Sequence, residues 1–109
     1  MYNATVVIFL LVVSGIKKNK DSGKKLNKNA IVPTYGSKCA AGADLYSLPD
    51  EGNIIIPPHN TVLVHTGIAM QIPDGYAGMI FARSGIALKR GLAPANKVGV
   101  IDSDYRGEI

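Results

Sequence analysis

TVLVHTGIAMQIPDGYAGMIFA, residues 61–82, decides the fold class. Two apolar runs rich in β-branched and aromatic residues flank IPDG at 72–75, where Pro73 presets φ and Gly75 relaxes the backbone. Neither run sustains the 3.6-residue apolar period of a packed helix, so both predict strands, over 61–72 and 76–82. Gly67 inside the first predicts a bulge or bend.

The same grammar extends outward. VPTYGS and LPDEGN are turns, and Ala43–Leu48 between them predicts a strand. NIIIPPHN is a short β-branched run stopped by two prolines, which cannot donate to a ladder. RSGIALKRG mixes turn and helical residues, and KVGVI predicts a last short strand. With 12 glycines, 6 prolines, 47% hydrophobic and 18% charged residues, the 109-residue chain suits one all-β domain, a compact barrel or jelly-roll-like sandwich. Cys39 is the only cysteine, which excludes an intramolecular disulfide. His59 and His65 lack further ligands at a zinc spacing.

The net charge of +4 is unevenly placed. Lys17, Lys18, Lys20, Lys24, Lys25 and Lys28 face one acid, Asp21, whereas acids slightly outnumber bases from residue 29 onward. The positive charge therefore belongs to one short segment, which reads as a solvated tail or as a run able to attract phosphate backbones or an anionic membrane, and the body carries no nucleic-acid footprint. Before it, the Val6–Val13 apolar run falls short of the ~20 residues of a spanning helix. It reads either as a β-branched strand or as a targeting core with Ser14 and Gly15 near a cleavage point. The expected division is an atypical apolar and lysine-rich leader over 1–23 and a domain over 24–109, with the leader dispensable for folding.

Three clusters carry chemistry: AAGAD at 40–44, ARSG at 82–85 and NKVGVIDSDYRG at 96–107. Arg83 offers a planar donor fork, Ser84 a hydroxyl and Gly85 an unobstructed amide, a set suited to phosphate oxygens. On a continuing strand Asp102 and Asp104 would share a face, unless the chain turns at Ser103. A carboxylate at a strand end can position a water; it can equally cap a turn, which suits Asp104 better. Paired carboxylates beside phosphates point to Mg²⁺. Lys89 and Arg90 are solvated or extend the phosphate surface.

AAGADLYS, RSGIALKRG and NKVGVIDSDYRGEI stand in the order of three motifs of the homotrimeric deoxyuridine triphosphatase (dUTPase) family, which residues 24–109 resemble. Deoxycytidine triphosphate deaminases share that fold but resemble GVIDSDYRG less. The resemblance implies a distorted jelly roll of the beta-clip type, hydrolysis of dUTP to dUMP and pyrophosphate, Mg²⁺ as cofactor and a homotrimer. It implies that Asp102 activates the attacking water, that Arg83, Ser84 and Gly85 hold phosphates, and that Asp44 meets Mg²⁺ through water. Tyr105 would pack on the deoxyribose; Asn96 and the main chain at Val100 and Ile101 would read uracil. Family members continue past the third motif with further strands, a fourth motif and a glycine-rich arm. The expectation is therefore a domain incomplete at its carboxyl end, with weak turnover or an inactive fragment that at most binds nucleotide. Cytoplasmic or nuclear location follows from the family, with targeting by residues 1–15 left open.

Overall fold

The computed structural model describes the backbone of residues 7–13 and the chain from 23 to 109. Among the described residues it is all-β apart from one short α-helix and a 3₁₀ turn at Pro49–Glu51. β1 (Val7–Val13), β3 (Ala43–Tyr46), β5 (Gly78–Ala82) and β6 (Gly99–Ile101) form an antiparallel sheet in the order β3-β1-β5-β6. β2 (Gly23–Lys25) and β4 (Ile68–Met70) form a second, two-stranded sheet.

VIFLLVV is one of the two inner strands of the larger sheet. A strand with neighbours on both sides reads as an unbroken apolar run, which explains a stretch too short to span a bilayer and without alternation. Leu10 is in register with Asp44 on one side and Phe81 on the other. The sheet thus takes a strand from the amino-terminal side of Lys24. The lysine-rich stretch from 17 to 22 lies outside the described residues.

The core gathers Ala30, Leu48, Ile68, Met70, Ile72 and Ile101, with Ile80 and Ile109 packed against it. Ile68 and Ile72 are 0% and 2% exposed, each side chain stabilising the fold by ~1.5–3 kcal/mol through removal from water. Residues 61–72 do not form one long strand: only Ile68–Met70 pairs regularly. The reason is Gly67, whose φ of +67° turns the chain where the sequence predicts a bend. Before it, Leu63 is 80% exposed and His65 is linked through its carbonyl to the Leu48 amide. The 53–56 run forms no strand of its own, and Ile55 is exposed.

α1 (Ser84–Arg90) follows β5 directly. Lys89 and Arg90 complement the helix dipole in its last turn, and Gly91 ends it at φ +64°, its amide bonded to the Ala87 carbonyl.

Candidate active site

The first two clusters meet. Asp44 is 8% exposed in β3, its backbone bonded both ways to Thr34. Its Oδ1 receives Arg83 Nε at 3.3 Å. Arg83 leaves the end of β5, two strands away, so its side chain crosses the width of β1 to make this pair. Gly36 lies on the other oxygen, where an added Cβ would stand 3.6 Å from Oδ2. Thr34 Oγ1 and the Tyr46 hydroxyl are 2.9 Å apart and brace the same strand.

Ser84 and Gly85 open α1 and are exposed. A Cβ at Gly85 would meet no atom within 4 Å, so packing within this chain does not call for glycine there. Glycine costs ~1 kcal/mol against alanine inside a helix. The open space where a Cβ would stand is what close approach by a ligand needs.

The third cluster is built by β6 and the turn after it. Val100 pairs with Met79 and is 61% exposed; Ile101 pairs with Gly78 and is buried. β6 is at the edge of its sheet among the described residues, so one row of its backbone donors and acceptors faces outward. Asn96 is exposed in the turn that enters it. The chain does turn at Ser103: β6 ends at Ile101, and the Tyr105 amide bonds the Asp102 carbonyl at 3.2 Å. Asp102 and Asp104 therefore do not share a strand face. Arg106 Nη1 closes the turn, donating to the Ser103 carbonyl at 2.6 Å and to that of Tyr105 at 2.9 Å. Neither Arg106 nor the residues beyond it drew notice as site residues from sequence, because their contacts are made with distant or main-chain partners.

The clusters do not all converge within one chain. Ile101 is opposite Gly78, and Ala82 is four residues further along β5, roughly 13 Å of strand. Asp102 and Arg83 extend beyond opposite ends of that ladder.

Glu108 is the site neighbour that sequence reading missed. Its Oε1 accepts the amides of Thr66 at 2.9 Å and Gly67 at 2.8 Å, and its Oε2 is 3.0 Å from His65 Nδ1. The Gly67 amide and the His65 contact hold the carboxyl below its ordinary pKa, against a smaller opposing effect of burial.

Among the described residues, no group of three or more His, Cys, Asp and Glu side chains could hold a metal ion, and no helix is long and apolar enough to cross a membrane. A small all-β fold with a carboxylate–arginine pair linking β3 to the end of β5 and an exposed carboxylate–tyrosine turn after β6 defines the class. The chain belongs to the dUTPase family, whose model matches residues 28–109 and so includes all three clusters. Deoxyuridine 5'-triphosphate nucleotidohydrolase from Syntrophotalea carbinolica is 48% identical over 86 residues, which are 79% of this chain and 58% of that protein. The proteins of the same name from Nautilia profundicola and Wolinella succinogenes are 50% identical over 86 residues and 45% over 97. These cover 79% and 89% of this chain, and 58% and 63% of the relatives. The chain thus spans about three fifths of the length of these relatives.

Proposed function

We propose that the chain hydrolyses dUTP to dUMP and pyrophosphate, at a site shared between copies of itself. The observation that carries this is the family match over all three clusters together with their separation along the β5–β6 ladder. A general base acts within hydrogen-bond reach of the proton it takes. Asp102 cannot stand that close to phosphates held by Arg83, Ser84 and Gly85 of its own chain, but it can serve those of a neighbour. A closed homotrimer, the assembly of the resembled family, would repeat that junction.

In this scheme Asp102 takes a proton from water as the water oxygen bonds to the α-phosphorus. The bond from that phosphorus to the β-bridging oxygen breaks, and pyrophosphate leaves. Arg83 delivers donors to the phosphates, and Ser84 and Gly85 add a hydroxyl and an uncovered amide. Since Asp44 Oδ1 is engaged by Arg83, the pair holds the guanidinium ready at the phosphate side. A single carboxylate fits Mg²⁺ only through water, with the triphosphate as the direct ligand. Mg²⁺ bound there would neutralise phosphate charge and align the chain of phosphates for in-line attack.

The outward edge of β6 suits the uracil face, because main-chain donors and acceptors come in fixed order and a wrong base edge leaves one unpaired. Asn96, Val100 and Ile101 supply that edge, and Tyr105 the sugar contact. A deoxynucleotide substrate is in keeping with a cytoplasmic or nuclear location.

The test is complementation. Arg83→Ala and Asp102→Ala variants, each assayed for pyrophosphate release from dUTP with Mg²⁺, should be inactive alone. Mixed after co-refolding, they should regain part of the activity, because some junctions then carry both intact halves. Turnover absent from every mixture while the parent chain is active would rule out a shared site.

A further inference from the structure

We propose that Glu108 is a positioning residue for Tyr105, fastening the Asp102–Tyr105 turn to the Thr66–Gly67 corner and thereby fixing the surface that faces the sugar. The proposal rests on Tyr105 being the sugar-contacting group. Three observations lead to it.

The corner is an anion receptor. Gly67 at φ +67° lets two successive amides, Thr66 and Gly67, converge on Glu108 Oε1, the arrangement of a backbone nest. His65 reaches the other oxygen, so both carboxylate oxygens are engaged by a segment more than forty residues away in sequence. Hydrogen bonds with an ionised acceptor are about twice as strong as neutral ones.

The tail is knitted to β4 beside this contact. Glu108 bridges Ala69, and the Ile109 amide donates to the Ile68 carbonyl at 2.9 Å. Glu108 is thereby fixed by its backbone as well as its carboxylate.

The fixed Glu108 holds the tyrosine. Tyr105 Oη donates to the Glu108 carbonyl at 2.7 Å, folding the ring back over Gly107. A Cβ at Gly107 would stand 2.5 Å from Oη and 2.7 Å from Cζ, so only glycine admits the ring in this place. Ring, hydroxyl and turn are defined together. A ring that is 44% exposed would otherwise turn about χ1 into solvent.

The experiment follows Tyr105 by NMR in the full chain and measures dUMP, dCMP and UMP binding. Glu108→Ala should move the Tyr105 ring resonances and the Thr66 and Gly67 amides while leaving the Met79–Val100 pair in place. The preference for dUMP over UMP should fall about tenfold, the worth of one hydrogen bond. The preference for dUMP over dCMP should stay, since β6 is untouched. Glu108→Gln, which keeps an acceptor oxygen, should recover part of the sugar preference. Tyr105→Phe, which removes only the hydroxyl, should lower it without loss of fold and decides the matter if Glu108→Ala does not fold. Unmoved Tyr105 resonances in Glu108→Ala, or an unchanged sugar preference in Tyr105→Phe, would overturn the proposal. If the parent chain itself binds dUMP and UMP equally, the sugar-facing assignment of Tyr105 fails, and the ring resonances alone then judge whether Glu108 holds the ring.

Discussion

Replacing Gly67 by alanine is the most informative single perturbation of the fold. Two costs can be separated there. The φ of +67° places any residue with a Cβ in the left-handed region, at ~1–2 kcal/mol. The new methyl would also stand 2.9 Å from the Ala30 Cβ, 3.1 Å from Leu48 Cδ1 and 3.2 Å from the Asn27 Cβ. Two of those atoms are Cβ atoms fixed to backbone and cannot rotate away, so overpacking adds ~1–3 kcal/mol. A stiffer unfolded chain returns ~0.4–1 kcal/mol. The net loss is about 2–4 kcal/mol, a large share of the ~5–15 kcal/mol stability of a domain. Gly75→Ala is the matched control: φ is +83°, but a Cβ there meets nothing within 4 Å. It should cost only the backbone part, ~1 kcal/mol. Urea titration followed by circular dichroism reads the difference. At a slope of ~1–2 kcal/mol/M, Gly67→Ala should lower the midpoint by about 1–4 M, and Gly75→Ala by no more than ~1 M. Equal midpoints for the two variants would refute the packing argument at the Ala30–Leu48 corner.

Four further outcomes are expected. Removing residues 1–22 takes β1 from between β3 and β5, so strand signal in circular dichroism should be lost; an unchanged spectrum would return the segment to a dispensable leader. Gly85→Ala should raise stability by ~0.5–1 kcal/mol in thermal melts yet weaken triphosphate binding, and improved binding would remove Gly85 from the phosphate site. Because the Glu108 carboxyl has its pKa lowered on folding, it contributes stability above the ordinary value of 4.5 that is lost as pH falls through the folded value. Urea midpoints taken across that range should therefore drop less steeply in Glu108→Gln than in the parent, and parallel curves would contradict the sign. In an active assembly, Asp102→Asn should cut turnover by ~10²–10⁴ with dUTP binding nearly unchanged; near-parental turnover would shift the base to Asp104 or Asp44.

Local signals in the sequence were enough for class and punctuation. β-branched runs, Pro73–Gly75 and Gly67 depend on neighbours a few residues away, so the β class, the turn and the bend could be read directly, whereas the expected 61–72 strand kept only Ile68–Met70. RSG and GVIDSDYRG likewise present their chemistry within a few consecutive residues. Three matters needed the folded chain. VIFLLVV could be a strand or a targeting core until two partners flanked it, because an apolar run carries no record of what pairs with it. Arg83 and Asp44 are 39 residues apart in sequence, and only the sheet order brings them to 3.3 Å. Glu108 carried no signal of its own in the sequence, since its receptor is two backbone amides. Main-chain groups are the same at every position, and only the left-handed turn at Gly67 aims these two at one carboxylate oxygen.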